Sequence, residues 1–122
     1  MNQKRIDCMD SELIMREEEG VIELQGVSRW NGTLSYFQEL LDWTEEYSKN
    51  PRDTTVNVNL EFIDPSSAEL LSLFFKKLVK VRKKGYQLNV NWYYDETVEN
   101  SKAYGYVFAK VSKIRFNFIQ LS

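Results

Sequence analysis

From Val56 the chain alternates between apolar and polar residues. Val56, Val58, Leu60 and Phe62 are apolar and Asn57, Asn59 and Glu61 polar, the period of two that a strand with one apolar face requires. Beyond Asp64-Pro65-Ser66-Ser67 the period lengthens. Leu70, Leu71, Phe74, Leu78 and Val81 fall at helical spacing on one face, with Lys76, Lys77, Lys80 and Lys83 solvated or at its margins. The joint offers two capping schemes. Ser66 as N-cap with Glu69 three residues on makes a capping box, whereas Asp64 as N-cap puts Pro65 at the first helical position, where its missing N–H costs nothing. Either scheme starts a helix whose unpaired N–H groups and partial positive charge can interact with hydroxyls or an anion.

The same reading covers the rest of the chain. Residues 1–10 lack periodicity and are expected to form a flexible leader. Leu13 to Met15 and Val21 to Leu24 read as short strands joined by the turn Arg16 to Gly20, a β-hairpin. Gly26 to Gly32 is a glycine-punctuated loop holding Ser28 and Trp30; Trp30 is either folded over the core or a recognition residue. Thr33 to Lys49 reads as a first helix with Leu34, Phe37, Leu40, Leu41, Thr44 and Tyr47 near one face, ended by Asn50-Pro51. The helix after Ser67 closes at Lys83-Lys84-Gly85, with cations in its last turn and a glycine available for a left-handed cap.

Tyr86 to Tyr94 alternates again, with Leu88, Val90 and Trp92 on one side. Thr97 to Ser112 is a third helix despite Gly105, with Val98, Tyr104, Phe108 and Val111 expected to be buried. Ile114, Phe116 and Phe118 mark the last strand. The order β-β-α-β-α-β-α-β predicts an α/β domain with a mixed sheet: an N-terminal antiparallel hairpin, then largely parallel strands linked by right-handed crossovers, with helices covering the sheet. The carboxyl ends of such strands, where Asp64 to Ser67 and Tyr94 to Glu96 lie, are the expected ligand or partner surface.

Composition narrows the chemistry. At 122 residues with 43% hydrophobic content the chain suits one folded domain. A formal charge of −2 gives no global attraction for nucleic acid or acidic membranes. No apolar run approaches membrane-span length and no signal-peptide core follows the charged N-terminus, so a cytoplasmic location is expected. The single cysteine, Cys8, suits a reducing compartment. With no histidine, Ser-His-Asp and Cys-His catalysis and the common zinc sites are excluded. Glu17-Glu18-Glu19 reads as a solvated turn rather than a metal site, and the lysine-rich second helix as a wet face rather than a docking patch. No cofactor is expected.

Two stretches carry a resemblance. Leu60 to Leu71, L-E-F-I-D-P-S-S-A-E-L-L, and Val90 to Glu96, V-N-W-Y-Y-D-E, resemble the SiaC family of biofilm-regulatory phosphoproteins, whose forms are approximately L-x-Y-F-N-T-S-S-A-K and V-x-W-Y-Y-D-E-D-D-E-D. Gly26 to Ser28 and Leu41 to Tyr47 extend the match more weakly. The resemblance implies a STAS-like fold of the anti-sigma-factor-antagonist type and a regulatory role without catalysis. It implies switching by a Ser/Thr kinase and a PP2C-type phosphatase, and stimulation of a diguanylate cyclase by the unmodified protein. In this register the family acceptor threonine is Pro65, which has no hydroxyl, and the preceding asparagine is Asp64; Ser66 and Ser67 match the two serines that follow. Of the family's S-Y-P-E motif, Ser28-Arg29-Trp30-Asn31 keeps only the serine, and the acidic stretch keeps Asp95, Glu96 and Glu99.

The leading expectation is therefore a non-enzymatic partner-binding protein, docking through Asp64, Pro65, Ser66, Ser67, Ser28, Trp30, Tyr93, Tyr94, Asp95 and Glu96, with Ser66 and Ser67 as phosphorylation candidates. One alternative is a small ligand- or magnesium-binding domain or enzyme using Asp64, Ser66, Asp95 and Glu96. Another is a constitutive scaffold that has lost the phosphoswitch.

Overall fold

A computed structural model of the chain describes residues 3–8, 11–28, 34–98 and 100–121. The elements run β1 (Gln3–Cys8), β2 (Ser11–Arg16), β3 (Val21–Ser28), α1 (Leu34–Tyr47), β4 (Thr54–Ile63), α2 (Pro65–Lys83), β5 (Leu88–Tyr94), α3 (Ser101–Ser112) and β6 (Phe116–Gln120). The strands lie in one sheet in chain order, β1-β2-β3-β4-β5-β6. β1, β2 and β3 are antiparallel neighbours, and β3 to β6 are parallel. This is the expected mixed sheet and element order, preceded by one further strand. The region expected to be a flexible leader holds β1, whose Ile6 sits opposite Leu13 and is buried. Lys4, two residues before Ile6 and on the same face, is charged and exposed, so the strand shows no apolar period, and β1 adds to the edge of β2.

Because successive parallel strands always add on the same side, right-handed crossovers place α1, α2 and α3 on one face of the sheet. That face carries Leu13, Leu24, Val58 and Trp92 in adjacent registers, all of them buried. The other face is polar. There Asn91 donates to Asn57 Oδ1 at 2.9 Å and Asn117 donates to Asn91 Oδ1 at 3.1 Å, and Arg5, Gln25 and Glu12 form a further polar cluster. A sheet whose strand order never reverses has no topological switch point, so any site at the strand ends needs another origin.

The helices pack by phase. α2 buries Leu71, Phe74, Phe75, Leu78 and Val81, close to the expected stripe. Gly85, with φ of 95°, follows its C-cap Lys84 as the left-handed position that glycine suits. Two of the lysines expected to be wet, Lys77 and Lys80, donate to Glu45 of α1 at 2.8 and 2.6 Å, which holds that carboxyl down at about 2. The third helix begins at Ser101 rather than Thr97 and is rotated from its expected phase. It buries Ser101, Gly105, Phe108 and Ser112, whereas Val111 is 48% exposed and Val98 and Tyr104 are half-buried. Gly105 causes the rotation: a Cβ there would lie 2.8 Å from Trp92 Cδ1 and Nε1 and from Phe118 Cε1. The absent side chain lets the helix backbone rest on the Trp92 ring, whose Nε1 donates to Ser101 O at 3.0 Å. Phe108 and Phe116 flank the same ring at 5.6 and 5.9 Å.

Candidate functional site

The site begins with one extra residue. Gly26 pairs with Leu60 but Val27 pairs with Phe62, so Glu61 is left over on β4 as a bulge. Side chains alternate across a strand, and one inserted residue reverses which face the next ones take. Ile63 therefore turns into the core, and Phe62, expected inside from its parity with Val56, Val58 and Leu60, is 47% exposed. The sequence carried a sign of this: Phe62 and Ile63 are adjacent apolar residues, which breaks a period of two.

The strands part at the same level. Pairing between β4 and β5 runs from Thr54↔Leu88 to Val58↔Trp92, while β4 continues to Ile63 against β3 alone. The separation opens a cleft of about 370 Å3 lined by Asn59, Leu60, Glu61, Tyr93, Tyr94, Asp95, Val98, Ser101 and Leu121. A second depression, of about 200 Å3, shares Leu60, Glu61, Val98 and Ser101 with it and adds Phe62, Ile63, Pro65, Asn100 and Tyr104. Together they form a groove from the start of α2 to the carboxyl end of β5.

At its α2 end the cap is settled. Asp64 is the N-cap, its Oδ1 accepting from Ser67 N–H at 2.7 Å, and Pro65 occupies the first turn; the Ser66–Glu69 capping box is not used. Ser66 and Ser67 separate sharply. Ser66 is exposed, whereas Ser67 is 0% exposed. At the β5 end Tyr94 is buried and Tyr93 half-buried. Asp95 accepts from Thr97 N–H at 2.9 Å and Thr97 Oγ1 at 2.7 Å, and the two bonds hold its carboxyl below its ordinary range. Glu96 is exposed. Lys102 Nζ lies 4.9 Å from the Tyr94 ring centroid, and its pKa is raised, chiefly by a hydrogen bond to Tyr94.

The structure thus brings Pro65 and the Tyr93 to Asp95 turn to one groove. It places Ser28 by its backbone opposite Ile63, at the same end of the sheet. Trp30 and Glu99 lie outside the described residues. Val98, Asn100, Tyr104 and Leu121 line the groove and carry no sequence motif that singles them out. Asp64 and Asp95 both act as acceptors for their own turns, which is how each carboxylate shapes its loop.

What these features define is a one-sided mixed α/β module with a hydroxyl-bearing helix tip at one end of a groove lined by tyrosines. Comparison with known proteins is more specific. The model of the SiaC family of regulatory phosphoproteins matches residues 8–121, and the chain belongs to that family. Solved structures of similar fold include SiaC of Pseudomonas aeruginosa, at 18% identity and TM-score 0.80 over 98% of this chain and 97% of that one. Another holds the diguanylate cyclase SiaD in complex with its activator SiaC from the same organism, at 16% identity and TM-score 0.85 over 99% of this chain and 100% of that one. Among curated protein sequences none matches this chain. No helix among the described residues is long and apolar enough to cross a membrane.

Proposed function

We propose that this chain is a non-catalytic, cytoplasmic regulator that docks on a diguanylate cyclase through the Phe62–Pro65–Tyr93 groove and is controlled by phosphorylation of Ser66. The observation that carries the reading is made by the bulge: Phe62 turns outward to line the groove that also takes in Pro65, and Ser66, the exposed one of the two candidate serines, follows Pro65 in the first turn of α2. Aromatic side chains set beside a pocket are the usual anchors of protein interfaces. A phosphate on Ser66 would sit in the first turn of α2, where unpaired N–H groups and the helix dipole favour it. It would also bring a charge near −2 between Asp64 and Glu69, altering what the groove accepts. A Ser/Thr kinase and a PP2C-type phosphatase complete the cycle in this reading. Ser67 acts as a structural residue.

The test is capture of a diguanylate cyclase encoded beside this chain, with cyclase activity as the readout. Phe62→Ala is expected to weaken capture by tenfold or more, on the order of an interface anchor. Ser66→Glu is expected to reduce stimulation while the protein stays folded by circular dichroism. Ser67→Glu, which forces a carboxylate into a closed site, is expected to unfold it. Full capture by the Phe62→Ala protein would sink the docking surface. A second reading, a constitutive scaffold, is favoured by Pro65 at the family acceptor position; stimulation unchanged by Ser66→Glu would select it.

A further inference from the structure

We propose that the outer edge of β6 is a docking site for an extended acidic peptide strand, separate from the groove. The two edges of the sheet differ. β1 carries Lys4, Arg5 and Asp7 among its six residues, the charges that discourage edge pairing, whereas β6, F-N-F-I-Q, has neither charge nor proline. Among the described residues no strand pairs with β6 on the side away from β5. The N–H of Leu121 donates to Tyr94 O at 2.8 Å, so it faces β5. Backbone groups alternate sides along a parallel strand, which turns the N–H groups of Phe118 and Gln120 to the open edge.

An apolar shelf continues past that edge. Tyr106, 53% exposed, packs on Phe118 at 4.4 Å, and Ile119 is exposed on the opposite face. Of the large apolar residues that are exposed among the described ones, Tyr106 and Ile119 lie at this strand, one on each face. A strand added here would set alternate side chains against Tyr106 and Ile119 and use main-chain bonds for affinity.

Charge selects the occupant. Residues 101–121 contain Lys102, Lys110, Lys113 and Arg115 and no aspartate or glutamate, in a chain whose formal charge is −2. A second copy paired through its own β6 would bring these cations together across the dyad, whereas glutamates alternating with apolar residues would meet them.

The experiment titrates the full-length 15N-labelled protein with the capped peptide Glu-Val-Glu-Ile-Glu-Val and with its lysine counterpart. The expected result is saturable shifts of the Phe116 to Gln120 amides with the glutamate peptide alone, weakened by added salt. Gln120→Pro removes an outward N–H while leaving the β5 ladder, and is expected to weaken binding about tenfold. Lys110→Glu with Arg115→Glu is expected to reverse the preference towards the lysine peptide. Equal binding of both peptides, shifts confined to the groove or other surfaces, no binding at all, or self-association through β6 in sedimentation overturns the proposal.

Discussion

Gly105→Ala sets helix propensity against packing. Alanine is favoured over glycine inside a helix by about 1 kcal/mol, so propensity alone predicts a more stable protein. The structure predicts the reverse. The new methyl would lie 2.8 Å from Trp92 Cδ1 and Nε1 and from Phe118 Cε1, where carbon atoms rest at about 3.5–4.0 Å. The Trp92 ring does not yield easily. Trp92 is 1% exposed, flanked by Phe108 and Phe116, and bonded to Ser101 O of the same helix at 3.0 Å. α3 must therefore lift, loosening Phe108 and that bond. Overpacking of this kind costs about 1–3 kcal/mol, and a clash with a pinned ring belongs to the upper part of that range. Less the propensity gain, the variant should be destabilised by about 1–2 kcal/mol, a fall in Tm of roughly 3–10 °C for a chain of this length. Urea and thermal unfolding followed by near-ultraviolet circular dichroism measure it. The control is Ala103→Gly on the exposed side of α3, which should lose about 1 kcal/mol through propensity alone. A Gly105→Ala protein with a raised Tm would refute the packing argument.

Acid sensitivity follows from Glu45. Its folded pKa lies at about 2, below the ordinary 4.5, so the Lys77 and Lys80 contacts contribute fully above pH 4.5 and are lost as pH falls towards 2. Glu45→Gln should therefore be less stable than the parent at neutral pH, with the gap closing through that window and shrinking in high salt, as followed by urea unfolding at stepped pH. A gap that does not change with pH would rule out the ion pair as its source. At the helix tip, Asp64→Ala should cost about 1 kcal/mol through loss of the cap, and Asp64→Asn much less, because the amide oxygen still accepts from Ser67 N–H. Equal losses in the two variants would mean that the cap bond is not the cause.

Much of this fold is legible in the chain. β4, α2 and β5 could be read because each buries one face through several periods, and the pattern of Val56 to Leu60 and Leu71 to Val81 passes almost unchanged into the core. β1 could not, because Ile6 shares its face with the charged, exposed Lys4 and makes no apolar pattern. The phase of α3 is not legible because, apart from Phe108, its contact face is built from Ser101, Gly105 and Ser112, small residues that leave no apolar spacing. At the candidate site the chain showed that Asp64 to Ser67 open a helix. It did not show which acid or hydroxyl caps it, since both schemes satisfy the same N–H groups and only the backbone at Asp64, with φ of −83° and ψ of 164°, separates them.

The groove depends on a register, which no single residue encodes. Had β4 kept its alternation to the end, Phe62 would lie in the core, Ile63 would face outward, and the helix tip would stand beside an aliphatic rather than an aromatic surface. The bulge at Glu61 changes this without cost to the core, because Ile63 takes the buried place that Phe62 leaves. Beyond Val58 β4 has no β5 partner and continues against β3 as far as the start of α2. That arrangement joins the tip of α2, the end of β3 and the turned-out ring in one short stretch of backbone. In the proposed reading a charge added at Ser66 stands next to Pro65, which lines the groove, so modification and docking would need no long-range relay between them.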